Sequence, residues 1–239
     1  MIPKSELERG EGGHAEGRAP EWLIGRPQLS TEVESHIREQ ILTGQYPAGY
    51  RVRAEILAEE LGVSPTPVRE ALQALRGQGF LSLEPRKGFR VLTLSRTDIA
   101  DIFLAQAFLA GELAGRAALN LTADHLAALE RIDQKIDEYA AKGDSARVQD
   151  LHDEFHRIIN RSSDSSKLKL LLTTTLLYVP SRFFVTTHRY PPAAGRKRVL
   201  DALRNRDSKK ASEAMMDHIK HSGELLQQFL DEQSPQAAG

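Results

Sequence analysis

The stretch LAEELGVSPTPVREALQALRGQGFL, residues 57–81, has the punctuation of two helices joined by a tight turn. Ile56, Leu57 and Leu61 give the first helix its apolar residues over about 54–61, and Gly62 stops it. Ser64 is placed to cap the next helix, and Pro65 takes its first position, where a missing N–H costs little. That helix runs from Pro65 to about Gln78. Val68, Leu72 and Leu75 share its inner face, and Gly79 ends it. Its opposite face shows Thr66, Arg69, Gln73 and Arg76. These groups suit base edges and phosphates, and the free N–H groups at the helix start suit a phosphate oxygen.

Working outward, a further helix precedes this pair. Order is expected from near Gln28, with Thr31 and Glu34 as a capping box and Val33, Ile37 and Ile41 on one face. Gly44 closes it, and YPAGY (46–50) reads as a turn. On the other side, FLSLEPRKGFRVLTL (80–94) changes to a strand period around PRKG, a β-hairpin with Arg86, Lys87 and Gly88 at its tip. The two cations suit phosphates or the minor groove, and the glycine would let the backbone approach DNA closely. Helix, helix, turn, helix and hairpin is the order of a winged helix-turn-helix. From Ser95 to about residue 231 only helical patterns follow, about six of them, broken near 121, 143, 162, 191 and 206.

The expected fold class is therefore mainly α: a winged helix-turn-helix at 26–94, then an all-helical bundle of six to seven helices at 95–232. Residues 1–25 and 233–239 read as tails. Of the 239 residues, 40% are hydrophobic and 27% charged, enough for a packed core. A net charge of −1 means that any basic surface is local. No cysteine is present, so thiolate ligands, disulfides and cysteine nucleophiles are excluded. No run approaches the roughly 18 apolar residues of a membrane span, and no leader-like stretch opens the chain. A cytoplasmic protein with no membrane partner is expected.

Residues 28–93 resemble the GntR family of bacterial transcription regulators. The resemblance rests on Gly44, Pro47, Gly49, Leu57, Ala58, Val63, Ser64, Thr66, Pro67, Val68, Arg69, Glu70, Ala71, Leu72, Leu75, Gly79, Gly88 and Val91. It implies a double-stranded DNA operator as partner, with Arg53, Ser64, Thr66, Pro67, Arg69, Gln73, Arg86, Lys87 and Gly88 as the contacting set. Two positions depart from the pattern: Pro65 and Glu55 stand where members carry arginine, and Arg53 is a substitute cation.

The helical remainder resembles the FadR-like branch with an FCD-type domain. That likeness implies a homodimer and a small-molecule effector in a central cavity. In many members a divalent metal is held there by an Asp or Asn and three His. Here Phe155–His156 matches the family's Phe-His pair, His152 stands at the Asp position, His218 matches the last His, and Arg196 occupies the remaining His position. His188 lies two turns upstream as a stand-in. Gln106 falls where an effector-gripping Arg is common. The periodicity agrees that these groups point inward. Val148, Leu151, Phe155 and Ile159 share a face that His152 borders, and Ala211, Met215, His218, Ser222, Leu225 and Phe229 recur at helical steps.

Two readings of this pocket stand open. In one, His152, His156 and His218 bind Zn²⁺ or Ni²⁺ while Arg196 turns to the effector. In the other, Arg196 and the histidines form a metal-free cationic pocket for a carboxylate. HDEFH (152–156) is close to a zinc-protease helix, but Asp153 is one methylene shorter than the required Glu and no third ligand sits at a protease spacing. A hydrolase is therefore not expected. The expected function is a transcription regulator, a repressor by the family's commoner mode, controlled by an organic acid or other carboxylate. A DNA-binding architectural protein without effector is the alternative.

Overall fold

A computed structural model describes residues 26–180, 187 and 190–233. The expected tail at 1–25, that at 233–239 apart from Gln233, and His188 lie outside these residues, and Gln233 ends the last helix. The chain divides into two compact units, one of residues 26–38 and 51–90, the other of 39–50 and 91–233.

The smaller unit holds most of α1 (Arg26–Leu42), then β1 (Arg51–Val52), α2 (Ala54–Leu61), α3 (Pro65–Gly77), β2 (Leu81–Glu84) and β3 (Gly88–Val91). Helix α1 begins about five residues before the expected cap. Pro27 is tolerated in its first turn, and Glu34, instead of closing a capping box, pairs with Arg38 one turn on. Gly62 ends α2 in the left-handed conformation (φ 66°), and the Gly62 and Val63 N–H groups donate to Glu59 and Ala58. The buried side of α2 is Ala54, Leu57 and Ala58, while Ile56 is 48% exposed. In α3 the inner face is Val68, Ala71, Leu72 and Leu75, as the spacing predicts. The hairpin is joined by a strand that the sequence reading missed. β1 pairs antiparallel with β3, with Arg51 opposite Arg90 and Val52 opposite Phe89, giving the sheet order β1-β3-β2. Two residues, one of them charged, are too short for a strand signal.

The larger unit contains α4 (Arg96–Asn120), α5 (Ala123–Ala141), α6 (Ser145–Ser162), α7 (Ser166–Leu176), α8 (Ala193–Arg204) and α9 (Ser208–Gln233). Ser95 caps α4 in a true capping box. Its hydroxyl accepts from the Asp98 N–H at 3.1 Å, and the Asp98 carboxylate accepts from the Ser95 N–H at 2.8 Å. Helix α4 contains an 18-residue window with a mean hydropathy high enough for a membrane span, by length and composition alone, and 56% of that window is buried in the protein. Its apolarity is spent on the bundle core, where Ala110, Leu113, Ala114, Ala117 and Ala118 are buried against residues of α5 to α9. Helices α4 and α9 approach so closely that a Cβ on Gly111 would stand 2.5 Å from Met216 Cγ, and one on Gly223 2.6 Å from Phe103 Cγ. The expected stripes are present: Val148, Phe155 and Ile159 in α6, and Ala211, Met215, His218 and Ser222 in α9, are all buried.

Candidate functional site

Two groups of residues carry chemistry, one in each unit. In the smaller unit, Arg53 at the start of α2, Ser64 at the cap of α3, and Thr66, Arg69 and Gln73 along the outer face of α3 are all exposed. The Ser64 backbone is extended, as a cap requires, yet its hydroxyl makes no capping hydrogen bond. It is left to other acceptors and donors, phosphate oxygens included. Arg69 donates to Glu55 at 2.6 Å, and both side chains are more than 60% exposed. This hydrogen bond, with a smaller effect of the arginine charge, lowers the Glu55 pKa. A pair so open to water is weak and exchangeable, and the guanidinium stays available to a base edge.

Two expected contact residues also have roles in the fold. Pro67 is buried beside Val68, so its ring fills the core rather than facing DNA. Gly88 is required by the fold. Its φ is +86°, and a Cβ there would lie 3.0 Å from the Val52 carbonyl oxygen of β1. The hairpin tip itself presents Arg86 and Lys87 to solvent, with Arg86 in the left-handed region (φ 62°) and the Lys87 N–H bonded to the Glu84 carbonyl.

In the larger unit, a cavity of about 610 Å³ lies among α4, α6, α7 and α9. Phe103 and Ala110 of α4, Leu172 and Leu176 of α7 and Ile219 of α9 make its apolar walls. Its polar floor is α6, whose residues Gln149, His152, Asp153, His156, Arg157, Asn160 and Arg161 follow one another at helical spacing. Gln106, expected here, does line the cavity; its amide is committed to the Thr175 carbonyl at 3.0 Å, tying α4 to α7.

His152, His156 and His218 converge beside this space, with one ring nitrogen of each within 4.8 Å of the others. The Nε2 atoms of His152 and His218 are 3.2 Å apart. Burial, then the electrostatic effects of His156, His218 and Arg196, holds the His152 imidazole well below its ordinary value of 6.5. Burial and the Arg196 charge lower His156 to about 4. Burial, His156 and Arg196 lower His218 to about 3. All three rings are therefore neutral at physiological pH, the state in which a ring nitrogen offers a lone pair. The set fits a divalent ion. Tetrahedral zinc with Zn–N bonds of about 2.0–2.1 Å needs nitrogens about 3.3 Å apart, and the His152–His218 separation meets that. One ring nitrogen of each of the three histidines lies within 4.8 Å of the others. On its far side, His218 Nδ1 is buried without a partner and lies 3.2 Å from where a Gly195 Cβ would stand. The glycine thus leaves the ring just enough room, a dependence that no spacing in the sequence signals.

Arg196 does not line the cavity. It is 4% exposed, and its guanidinium donates to Asp133 at 2.5 Å and to Asp137 at 2.6 Å, both on α5. The expectation that it faces an effector gives way to a buried ion pair between α8 and α5, and its charge reaches the histidines only through space. The remaining stand-in, His188, lies outside the described residues. Gln149, Asn160, Arg161 and Lys169 were not singled out from the sequence, and Asp153 was weighed only as a protease-like base, although the stripe 149, 152, 153, 156, 160 was there to be read. Gln149 donates to Asp153 at 2.8 Å, and its own Oε1 is buried without a partner.

Comparison with known proteins agrees with both units. Residues 29–91 match the family described as bacterial regulatory proteins, gntR family, and residues 101–221 match the FCD domain. The chain is 27% identical over 199 residues to the "Probable D-xylose utilization operon transcriptional repressor" of Paenarthrobacter nicotinovorans, covering 82% of this chain and 88% of that one. It is 31% identical over 136 residues to the HTH-type transcriptional regulator McbR of Escherichia coli, 57% of this chain and 62% of that one. In structure it is similar to a GntR family member from Pseudomonas syringae, with a TM-score of 0.53 at 26% identity, covering 87% and 88% of the two chains. It also shares the fold of E. coli McbR/YncC, with a TM-score of 0.64 at 24% identity over 84% of this chain and 98% of that one. A DNA-reading module joined to an FCD domain regulates transcription and is not an enzyme. The chain belongs to the GntR family of DNA-binding transcription regulators, in the branch that carries an FCD domain.

Proposed function

We propose that this regulator is a homodimeric repressor whose hold on its operator is set by an organic acid bound in the α4–α6–α7–α9 cavity. The observation that carries this reading is the cavity's histidine set: three neutral imidazoles converging where a ligand can reach them, in a chain whose other unit exposes a basic reading face. His152, His156 and His218 would hold Zn²⁺ or Ni²⁺, and the ion would supply a cationic anchor for a carboxylate. The metal-free cationic pocket is the weaker reading. Its arginine is neutralised by Asp133 and Asp137, and its imidazoles carry no charge. Self-association is supported by apolar side chains left in solvent, Leu104 and Phe108 on α4 and Leu170, Leu171 and Leu176 on α7. In a dimer, two α3 helices would enter successive major grooves of a pseudo-palindromic site, with Arg69 on a guanine edge and Ser64, Thr66, Gln73, Arg53, Arg86 and Lys87 on phosphates or neighbouring bases. The protein would act in the cytoplasm, where the chromosome is.

The reading helix is tested on a duplex selected by the protein from random sequence. Arg69→Ala weakens binding to that duplex by about 1–3 kcal/mol and relaxes the preference at one base pair of each half-site. An unchanged affinity and sequence preference would remove Arg69 from the contacting set.

A further inference from the structure

The cavity is polarised along its length. His152 and His156 stand on the middle of α6. At the end of the same helix stand Asn160 and Arg161, and the short connection at 163–165 brings the start of α7, with Lys169, back beside them. At a rise of 1.5 Å per residue, Arg161 lies about 7–8 Å along the axis from His156. Arg157, between them, pairs with Glu154 on its own helix. Arg161 and Lys169 carry no ion pair among the described residues. Two cations without an ion pair thus line the cavity near the C-terminal end of α6, more than one helical turn from His156, and Leu172 and Leu176 of α7 line it as well.

We infer that the ligand of this cavity is anionic at both ends. One carboxylate would sit at the histidine end, and a second anionic group, carboxylate or phosphate, would lie between Arg161 and Lys169, with a short apolar or hydroxylated spacer along α7. The inference rests on reading the cavity as the effector site. It goes beyond that reading in fixing the number of charged groups and their separation. A monoacid would satisfy the histidine end alone and leave two cations facing an apolar chain. A diacid of four to six carbons answers both ends, because each added charge-assisted hydrogen bond strengthens binding where water is partly excluded.

The test uses the full chain loaded with Zn²⁺ and matched pairs of probes: pentanoate with glutarate, hexanoate with adipate, and glycerate with 3-phosphoglycerate, each titrated calorimetrically. The diacid, or the phosphorylated acid, binds about tenfold or more tightly than its partner. The paired variant Arg161→Gln, Lys169→Gln brings the second member of each pair down to the level of the first. Both side chains stand at the cavity's rim, and an unaltered melting temperature checks that the variant folds. The glutarate and adipate arms against the 3-phosphoglycerate arm tell carboxylate from phosphate. Equal affinities within every pair overturn the inference and leave the effector reading standing. If no acid binds, with or without Zn²⁺, the effector reading fails and this inference fails with it.

Discussion

Arg196→Ala destabilises the helical unit by about 3–5 kcal/mol, the cost of leaving a buried charge without its partner. Asp133 is 8% exposed and accepts from the Arg196 Nε; Asp137 accepts from the other side of the guanidinium and also from Lys197 at 2.9 Å. Removing the arginine takes away the cation that both carboxylates face and leaves a cavity in α8 between Gly195 and Val199. The measurement is urea unfolding followed by circular dichroism, with the variant's midpoint compared to that of the wild-type chain. A second variant separates charge from packing: Arg196→Met with Asp133→Leu recovers most of the loss, because an apolar pair of similar volume avoids the desolvation cost altogether. A single variant as stable as the wild type would mean that the Arg196–Asp133 pair contributes nothing. The same substitution has a functional signature. Arg196 is among the causes that hold all three histidine pKa values down, so losing it raises them toward the ordinary range.

That ion pair also shows where sequence reading stops. The helix-turn-helix was legible because its signals are local: Gly62 at a left-handed stop, Ser64 and Pro65 at a helix start, and apolar residues on one face of α3. The histidine helix was legible for the same reason, since 152 and 156 are one turn apart. The partners of Arg196 lie 63 and 59 positions away on α5, where Asp133 and Asp137 look like an ordinary solvated stripe. Arginine at a ligand position therefore suggested an effector contact, and only the packing of α8 on α5 shows the charge already taken. Gly88 is a parallel case. A glycine at a basic hairpin tip suggested close approach to DNA, whereas the neighbour it must accommodate is the Val52 carbonyl of the unrecognised strand β1.

The second large effect concerns the metal. The wild-type chain takes up one Zn²⁺ or Ni²⁺ per protomer, and His156→Ala lowers the affinity by more than 100-fold. That exceeds the 10–100-fold that loss of a supporting outer partner costs, since a ligand itself is gone. The pH dependence gives an independent check. A free histidine, with a pKa near 6.5, competes protons against metal from about pH 7 downward. Here burial keeps His156 neutral to about 4 and His218 to about 3. The direction is a depressed pKa in the folded protein, so the lone pairs are present throughout the range above those values and are lost only as pH falls through them. Metal affinity is accordingly flat between pH 8 and 6 and collapses toward pH 4, read by competition with a chromophoric chelator buffered at each pH. An affinity already falling steeply between pH 7 and 6 would show imidazoles in contact with water. No stoichiometric uptake of either ion at pH 7.5 would rule out the metal reading.

Control of transcription by a ligand in the helical unit requires that ligand to bind the DNA-bound and free states with different affinities. The direct measurement is fluorescence anisotropy of a selected operator duplex titrated with Zn²⁺-loaded protein at fixed salt, with and without a saturating acid that calorimetry has shown to bind. The acid changes operator affinity by about 5–150-fold, the range of ordinary allosteric coupling, and causes no such change in His156→Ala. An operator affinity that stays the same while the acid is demonstrably bound would contradict that control.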